Sequence, residues 1–208
     1  TVADGRVSFT GSLYSIDWKD MIISYDYNTN DVAGITPFTV DIIENAGGAE
    51  SQGLEFEIRA QLADNWGLNV GGDINWTAKI TDATGLEGAQ ASGRYGGVGI
   101  SEGNRLANAP KNSAFAALTY DFTARNFEAQ ARLDAYHVAE SWNTANNERP
   151  APAYQTVDAR VTFYKDKWKI GAYIRNLADE IIVYEFNQVG FRYGRPRTVG
   201  FELTYTGG

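Results

Sequence analysis

Cysteine is absent from the 208 residues, and histidine and methionine occur once each. Without a thiol there is no disulfide scaffold, thiolate zinc site, thiol nucleophile or Cys-ligated iron–sulfur cluster. A lone histidine, His137, removes most His-based metal chemistry and leaves one base for any Ser-His-Asp arrangement. Positive charge is also short, with 18 Lys plus Arg against 26 Asp plus Glu and a net charge of −8. No basic stripe stands out, which argues against a nucleic-acid partner, because phosphate neutralisation needs a surplus of cations on one face. No apolar run reaches the roughly 18 to 20 residues of a transmembrane helix. Residues 1–20 carry neither the basic nor the apolar region of a signal peptide. A helical membrane protein is thereby excluded. A β-barrel is not, because its strands alternate, and a mean hydropathy of −0.35 suits one. Proline is scarce at 5 residues, while 22 glycines and 13% aromatic residues favour sheet over helix.

The hydrophobic pattern has period two nearly throughout. Val199, Phe201, Leu203 and Tyr205 alternate with Gly200, Glu202, Thr204 and Thr206. Val157, Ala159, Val161 and Phe163 alternate with Asp158, Arg160, Thr162 and Tyr164. The same rhythm runs through Leu54–Leu62 and Trp66–Thr77, at Phe127–His137 and Trp168–Arg175, and less cleanly at Val7–Trp18 and Ala114–Phe122. Together these predict about eight strands, most of them reaching the roughly 9 to 11 residues that cross a membrane at a tilt.

The connections fall into two kinds. Ala63–Asn65, Thr123–Asn126 and Lys165–Lys167 have the Asp/Asn chemistry of tight hairpins. Asp26–Thr39, Ala83–Asn104, Ser141–Pro152 and Glu185–Gly190 are long and rich in Gly, Asn, Ser and acidic residues. Long and short alternate strictly, as in an all-β, antiparallel outer-membrane barrel. A soluble sandwich or lipocalin-like barrel also alternates. The polar face tells against it, because Glu55, Glu57, Arg59, Arg132, Asp134, Asp158, Arg160, Arg175 and Glu202 suit a wet lumen better than a packed layer. Trp18, Trp66, Trp142, Trp168 and Tyr205 fall near predicted strand ends, where amphipathic rings prefer the bilayer interface, which makes outer-membrane lipid an expected partner.

No catalytic, metal or cofactor site is expected. The carboxylates Glu55 and Glu57 share a face, and interleaved arginines offer partners for cross-strand charge pairs. A hydrolase reading, as a phospholipase or protease, would need His137, which lies on the apolar register of its strand. Gly93–Gly99 lacks the strand–helix context of a phosphate loop. It reads instead as an extracellular loop whose Arg94 and Tyr95 are ligand contacts. Arg105, Trp142, Asn143 and Arg149 complete the candidate ligand-binding set, since an aromatic, amides and guanidinium groups suit recognition by stacking and hydrogen bonding.

Five segments then resemble one family in order. Asn45–Glu57 resembles the "NaG-a-s-GlElE" strand of TonB-dependent receptors, and Leu13–Ile22 the preceding "Fy-idwkD-I" strand. Gly103–Pro110 is similar to "G-rlp-aP", Arg175–Asp179 to "NLtD", and Gly194–Thr198 to "G-PRt". The resemblance implies that residues 1–208 are a C-terminal segment, without a plug domain, of a barrel of about 22 strands. It further implies the remaining strands and an N-terminal plug as partners, coupling through that plug to TonB, and a location in the bacterial outer membrane. The implied activity is uptake of a scarce small ligand such as a ferric siderophore, cobalamin or an oligosaccharide. A self-contained eight-stranded barrel, acting as an anchor or adhesion protein, is the alternative, and pairing of its first and last strands is its mark. Such strands usually finish on an aromatic residue. Here the alternation predicts one at 207, where the chain reads Tyr205-Thr206-Gly207-Gly208.

Overall fold

The structure is a computed structural model that describes residues 4–28, 39–45, 47–86, 99–147, 150–187 and 190–207. In chain order its strands are β1 (Val7–Lys19), β2 (Ile22–Asn28), β3 (Thr39–Asn45), β4 (Gly48–Ala63), β5 (Trp66–Asp82), β6 (Asn112–Ala124), β7 (Phe127–Val138), β8 (Ser141–Trp142), β9 (Pro150–Ala151), β10 (Tyr154–Lys165), β11 (Trp168–Arg175), β12 (Val183–Asn187), β13 (Gly190–Tyr193) and β14 (Thr198–Tyr205). The sheet that carries the architecture has eight strands in the order β1-β4-β5-β6-β7-β10-β11-β14, with every pair antiparallel.

One end of this sheet is closed by three two-residue turns. Ala63 pairs with Trp66, Ala124 with Phe127 and Lys165 with Trp168. Arg125 and Asp166 enter their turns at φ 58° and 53°, in the left-handed region that reverses a hairpin over two residues. At the other end the strands are joined by longer excursions. Three of these are hairpins in their own right, β2–β3, β8–β9 and β12–β13, which contain or flank the long connections Asp26–Thr39, Ser141–Pro152 and Glu185–Gly190. Polar Asn, Asp and Gly residues masked that strand character. The β2–β3 hairpin continues β1 past Asp20, whose φ of 50° bends the chain.

Registers place the apolar set on one face. Val7, Ala60, Leu68, Leu118, Leu133, Ala159, Ile174 and Val199 form a single rung across all eight strands. Among the described residues nothing covers that face. Leu13 is 77% exposed and Phe201 84%. At its tight-turn end Trp66 stacks on Tyr120 at 4.5 Å, and Trp168 meets Tyr205 with tilted rings at 4.8 Å. The packed core is small and sits at the opposite end, where Met21, Ile23, Ala49, Ile80, Leu86 and Ile100 hold the excursions to the sheet.

The outer strands are β1, which pairs only with β4, and β14, which pairs only with β11. The sheet is open among the described residues, so the first-to-last pairing that marks a self-contained eight-stranded barrel is not made.

Candidate functional site

The polar face carries the charged side chains. Ser8, Arg59, Asn69, Ala117, Asp134 and Asp158 share one rung, and Gln61, Gly67, Thr119, Arg132, Arg160, Tyr173 and Gly200 share the next toward the tight turns. Glu55 and Glu57 lie on the same face of β4, and Glu202 lies opposite Gly171.

The register gives the expected cross-strand pairing of opposite charges in part. Glu50 faces Lys79 and forms an ion pair with it at 3.1 Å, whereas Arg132 faces Arg160 and Asp134 faces Asp158, so there like stands opposite like. These last charges are paired along a strand or across to a farther one. Arg132 Nε and Nη2 donate to Asp134 two residues along β7, at 2.6–3.0 Å. Arg59 does the same toward Glu57 at 2.9–3.0 Å. Arg160 Nη1 reaches past β11 to Glu202 Oε2 at 2.8 Å, and Lys169 Nζ holds the other oxygen at 3.2 Å. Gly171, the residue between, has no side chain to block that reach. Ser113 donates to Asp73 on the same face.

Aromatic rings cover three glycines of this face. Tyr14 lies over Gly53, Phe115 over Gly71 and Tyr173 over Gly200, each from the directly opposite position. Two guanidinium groups flank Tyr173, with Arg160 at 5.3 Å and Arg175 at 5.0 Å from the ring centroid.

At the excursion end the loops are tied to one another. Asn104 Nδ2 donates to Ala145 O at 2.9 Å, and Asn147 both accepts from the Arg105 N–H at 2.6 Å and donates to Arg105 O at 2.8 Å. The Arg105 guanidinium turns inward, donating to Ala109 O at 3.2 Å and Asn75 O at 3.5 Å. Burial holds its pKa below the usual arginine value. Trp142 is half-buried in β8, and its carbonyl accepts from the Asn108 N–H at 2.7 Å. Asn143 Nδ2 donates to Tyr184 O at 2.6 Å. Arg94, Tyr95 and Arg149 lie outside the described residues.

A further cluster joins the ends of β11 and β14. Asn176 is buried, with φ 51°, and its N–H donates to Asp158 Oδ1 at 2.8 Å. Its side-chain amide donates to Glu180 O at 2.9 Å and Arg195 O at 3.3 Å, while Oδ1 accepts from the Glu180 N–H at 2.8 Å. Asp179 accepts from the Arg197 N–H at 2.9 Å and forms an ion pair with its guanidinium at 3.5 Å.

Two cavities open on the polar face at this end. One of about 740 Å³ is lined by Asn108, Ser141, Asn143 and Tyr154, among others. The other, about 370 Å³, is lined by Asp158, Arg175, Asn176 and Arg195. Tyr184 and Arg192 border both. Sequence reasoning placed Arg175 and Asn143 among candidate residues but missed Tyr154, Tyr184, Arg192 and Arg195. Tyr184 and Arg192 flank the connection Glu185–Gly190, in β12 and β13, and Arg195 lies in the segment Gly194–Thr198 that reads in sequence only as the lead into the last strand. His137 is half-buried between Ala114 and Gln155, and its Nδ1 has no hydrogen-bond partner. Among the described residues no group of three His, Asp or Glu side chains converges as a metal site.

The model of a family described as TonB dependent receptor-like, beta-barrel, matches residues 2–177. Among solved structures, the ferric yersiniabactin uptake receptor FyuA from Yersinia pestis is 18% identical with a TM-score of 0.72, over 97% of this chain and 28% of that one. The siderophore receptor PiuA from Acinetobacter baumannii is 16% identical with a TM-score of 0.72, over 98% and 26%. The copper transporter OprC is 15% identical with a TM-score of 0.67, over 96% and 29%. At such identities the likeness is one of fold, and the chain spans less than a third of the length of each structure. No curated protein matches.

Proposed function

From the premise that this chain belongs to the TonB-dependent receptor family, whose members are transporters of the bacterial outer membrane and not enzymes, we propose that it forms the C-terminal sector of the barrel wall of an energised uptake receptor. The two faces of the sheet carry this reading. The bare apolar face, with its ring ladder at the tight-turn end, is the surface that lipid covers. The charged face, with Glu55, Glu57, Arg59, Arg132, Asp134, Asp158, Arg160, Arg175 and Glu202, lines the wet interior. Both open edges await neighbouring strands, because unpaired backbone groups are not tolerated in hydrocarbon.

The long excursions then face outward and collect the ligand, and the tight turns face the periplasm. Arg94, Tyr95, Arg105, Trp142, Asn143 and Arg149 belong to that collecting end. Arg105 serves there by bracing the loop 99–110, since backbone carbonyls occupy its guanidinium. The ligand is a scarce one that repays active uptake through a plug and TonB. A ferric siderophore is favoured over cobalamin or an oligosaccharide, because FyuA and PiuA are described as receptors of that kind. Copper, which OprC is described as transporting, is the metal alternative.

The test is the intact mass of the native polypeptide in isolated outer membranes, identified by peptides of this sequence, with boiled and unboiled gel lanes alongside. A heat-modifiable species several times heavier than 22.8 kDa is expected. Loss of iron-limited growth on the cognate chelate when either this gene or TonB is deleted is expected with it. A heat-modifiable species near 22.8 kDa overturns the transporter reading.

A further inference from the structure

Near its tight turns the apolar face combines a furrow with a cation. Ala131, Ala159 and Ala172 floor a cavity of about 590 Å³ across β7, β10 and β11, walled by the larger Trp66, Tyr120 and Ile174. Of the outward positions on β6, β7, β10, β11 and β14 between this furrow and the turns, Lys165 is the one that carries a charge. Its Nζ lies over the Phe127 ring, 5.1 Å from the centroid, and no carboxylate pairs with it among the described residues. Trp168 stands directly opposite on β11, with Tyr205 against it. Exposed Arg125 and Lys167 occupy the two adjoining turns, where Asp166 is the one carboxylate. Asp121 and Glu128, at the same height, lie on the opposite face of the sheet.

With lipid over the apolar face, the Lys165 ammonium does not sit in bulk water. A cation there is costly in hydrocarbon and settles by extending its methylene stem into the headgroup layer. The anion of that layer is a phosphate, and the Trp168 indole N–H and Tyr205 hydroxyl are further donors at the same height. From Lys165 along β10 to Ala159 is about 20 Å at the usual strand rise. At the tilt of a barrel strand that is about 15 Å along the membrane normal, the depth of about one leaflet of hydrocarbon. A lipid whose phosphate meets Lys165 therefore has its chains at the height of the furrow. Charge selects the headgroup. A zwitterionic lipid brings its own cation to a rim already rich in them, and an anionic lipid does not. The same rim opposes a second copy of the chain, which would set like charge against like.

We propose that this end of the apolar face is a seat for an anionic phospholipid, its phosphate held by Lys165 and Lys167 and one acyl chain lying in the alanine-floored furrow. The proposal rests on reading the apolar face as the one that lipid covers.

The experiment reconstitutes the full-length receptor into vesicles of dioleoyl phosphatidylcholine and dioleoyl phosphatidylglycerol, with one or the other lipid carrying brominated chains that quench tryptophan on contact. The part of the quenching that Trp66→Phe removes reports the furrow, because Trp66 forms its wall. At low salt and equal mole fraction, brominated phosphatidylglycerol is expected to quench that part about threefold or more over brominated phosphatidylcholine, and the preference should shrink as salt rises. Lys165→Gln/Lys167→Gln should bring the ratio to about one, Lys165→Arg should keep it, and Lys111→Gln at the excursion end should leave it unchanged. Heat-modifiable mobility serves as the folding check. Should the Gln pair fail to fold, Lys165→Gln alone and the salt dependence of wild type decide. A wild-type ratio of about one, a preference insensitive to salt, or one undiminished in a folded Gln variant each overturns the proposal. Equal quenching by both lipids sinks the seat alone, since lipid then still covers the face. Quenching by neither sinks the lipid-facing assignment as well, and cross-linking of two receptors through Trp66 and its neighbours would then identify a second copy as the occupant.

Discussion

Arg132 and Arg160 stand directly opposite one another on β7 and β10, with Asp134 and Asp158 in the same relation one rung away. Like charges so placed oppose strand pairing. Each is relieved separately: Arg132 by Asp134, Arg160 by Glu202, and Asp158 by the Asn176 N–H. Glu202→Gln therefore exposes Arg160 to Arg132. Because Arg160 and Glu202 are each about one-third exposed and solvent screens the pair, the loss is expected to be small in urea unfolding from detergent or liposomes. The informative comparison is the same substitution in an Arg132→Gln background, where the loss should shrink. An undiminished loss means that opposing arginines are not the source. Packing on this face is tighter than its polarity suggests. A methyl group at Gly200 would overlap the Tyr173 ring. Gly200→Ala is accordingly expected to cost about 1–3 kcal/mol. Most of that cost should vanish when Tyr173 is also truncated to Ala, as measured by a double-mutant cycle of unfolding midpoints.

At the scale of elements, period-two alternation made the eight long strands legible, because a sheet with one wet and one apolar face enforces it residue by residue. The tight turns were legible for an equally local reason, the Asp/Asn chemistry between Ala63 and Trp66 or Lys165 and Trp168. The link between β11 and β14 was not. Its partners, Asn176 with Arg195 and Asp179 with Arg197, lie 18 or 19 residues apart and meet only because the intervening β12–β13 hairpin returns the chain. Nothing in a one-dimensional pattern announces that return, although both segments had been singled out separately. The link fixes where β14 starts beside β11. Asn176→Ala should cost about 2–3 kcal/mol, from buried groups left unpaired and from a left-handed backbone that alanine resists. Asn176→Gly accepts the backbone and loses only the amide, so it separates the two causes. Hydrogen exchange should rise in Thr198–Tyr205 for both variants, while protection in β4 and β5 stays unchanged. Uniform loss across the sheet would mean that the link is not local to β14.

The molecule as a whole holds an imbalance that its individual contacts do not reveal. Among the described residues its packed core lies at the excursion end, whereas Phe9, Leu13, Leu203 and Phe201 present 64%, 77%, 66% and 84% of their surface on the bare face. A soluble domain buries such side chains, and a contiguous apolar surface of this extent marks contact with another apolar phase. The two outer strands add unpaired N–H and C=O groups along their free sides, a template for pairing with other chains. The alternation revealed the two faces, but openness depends on whether β1 meets β14, a relation that no local pattern encodes. These features together set the behaviour of residues 1–208 expressed alone. In detergent-free buffer the chain is expected to aggregate or to pair edge to edge, giving polydisperse material by size exclusion with light scattering. Detergent micelles should reduce the aggregates by covering the apolar face, while leaving edge-mediated association that depends on protein concentration. Adding the preceding barrel strands in the same chain should remove that remainder. A monodisperse monomer in plain buffer would mean that the apolar face is covered within these residues, and the assignment of that face to lipid would fall.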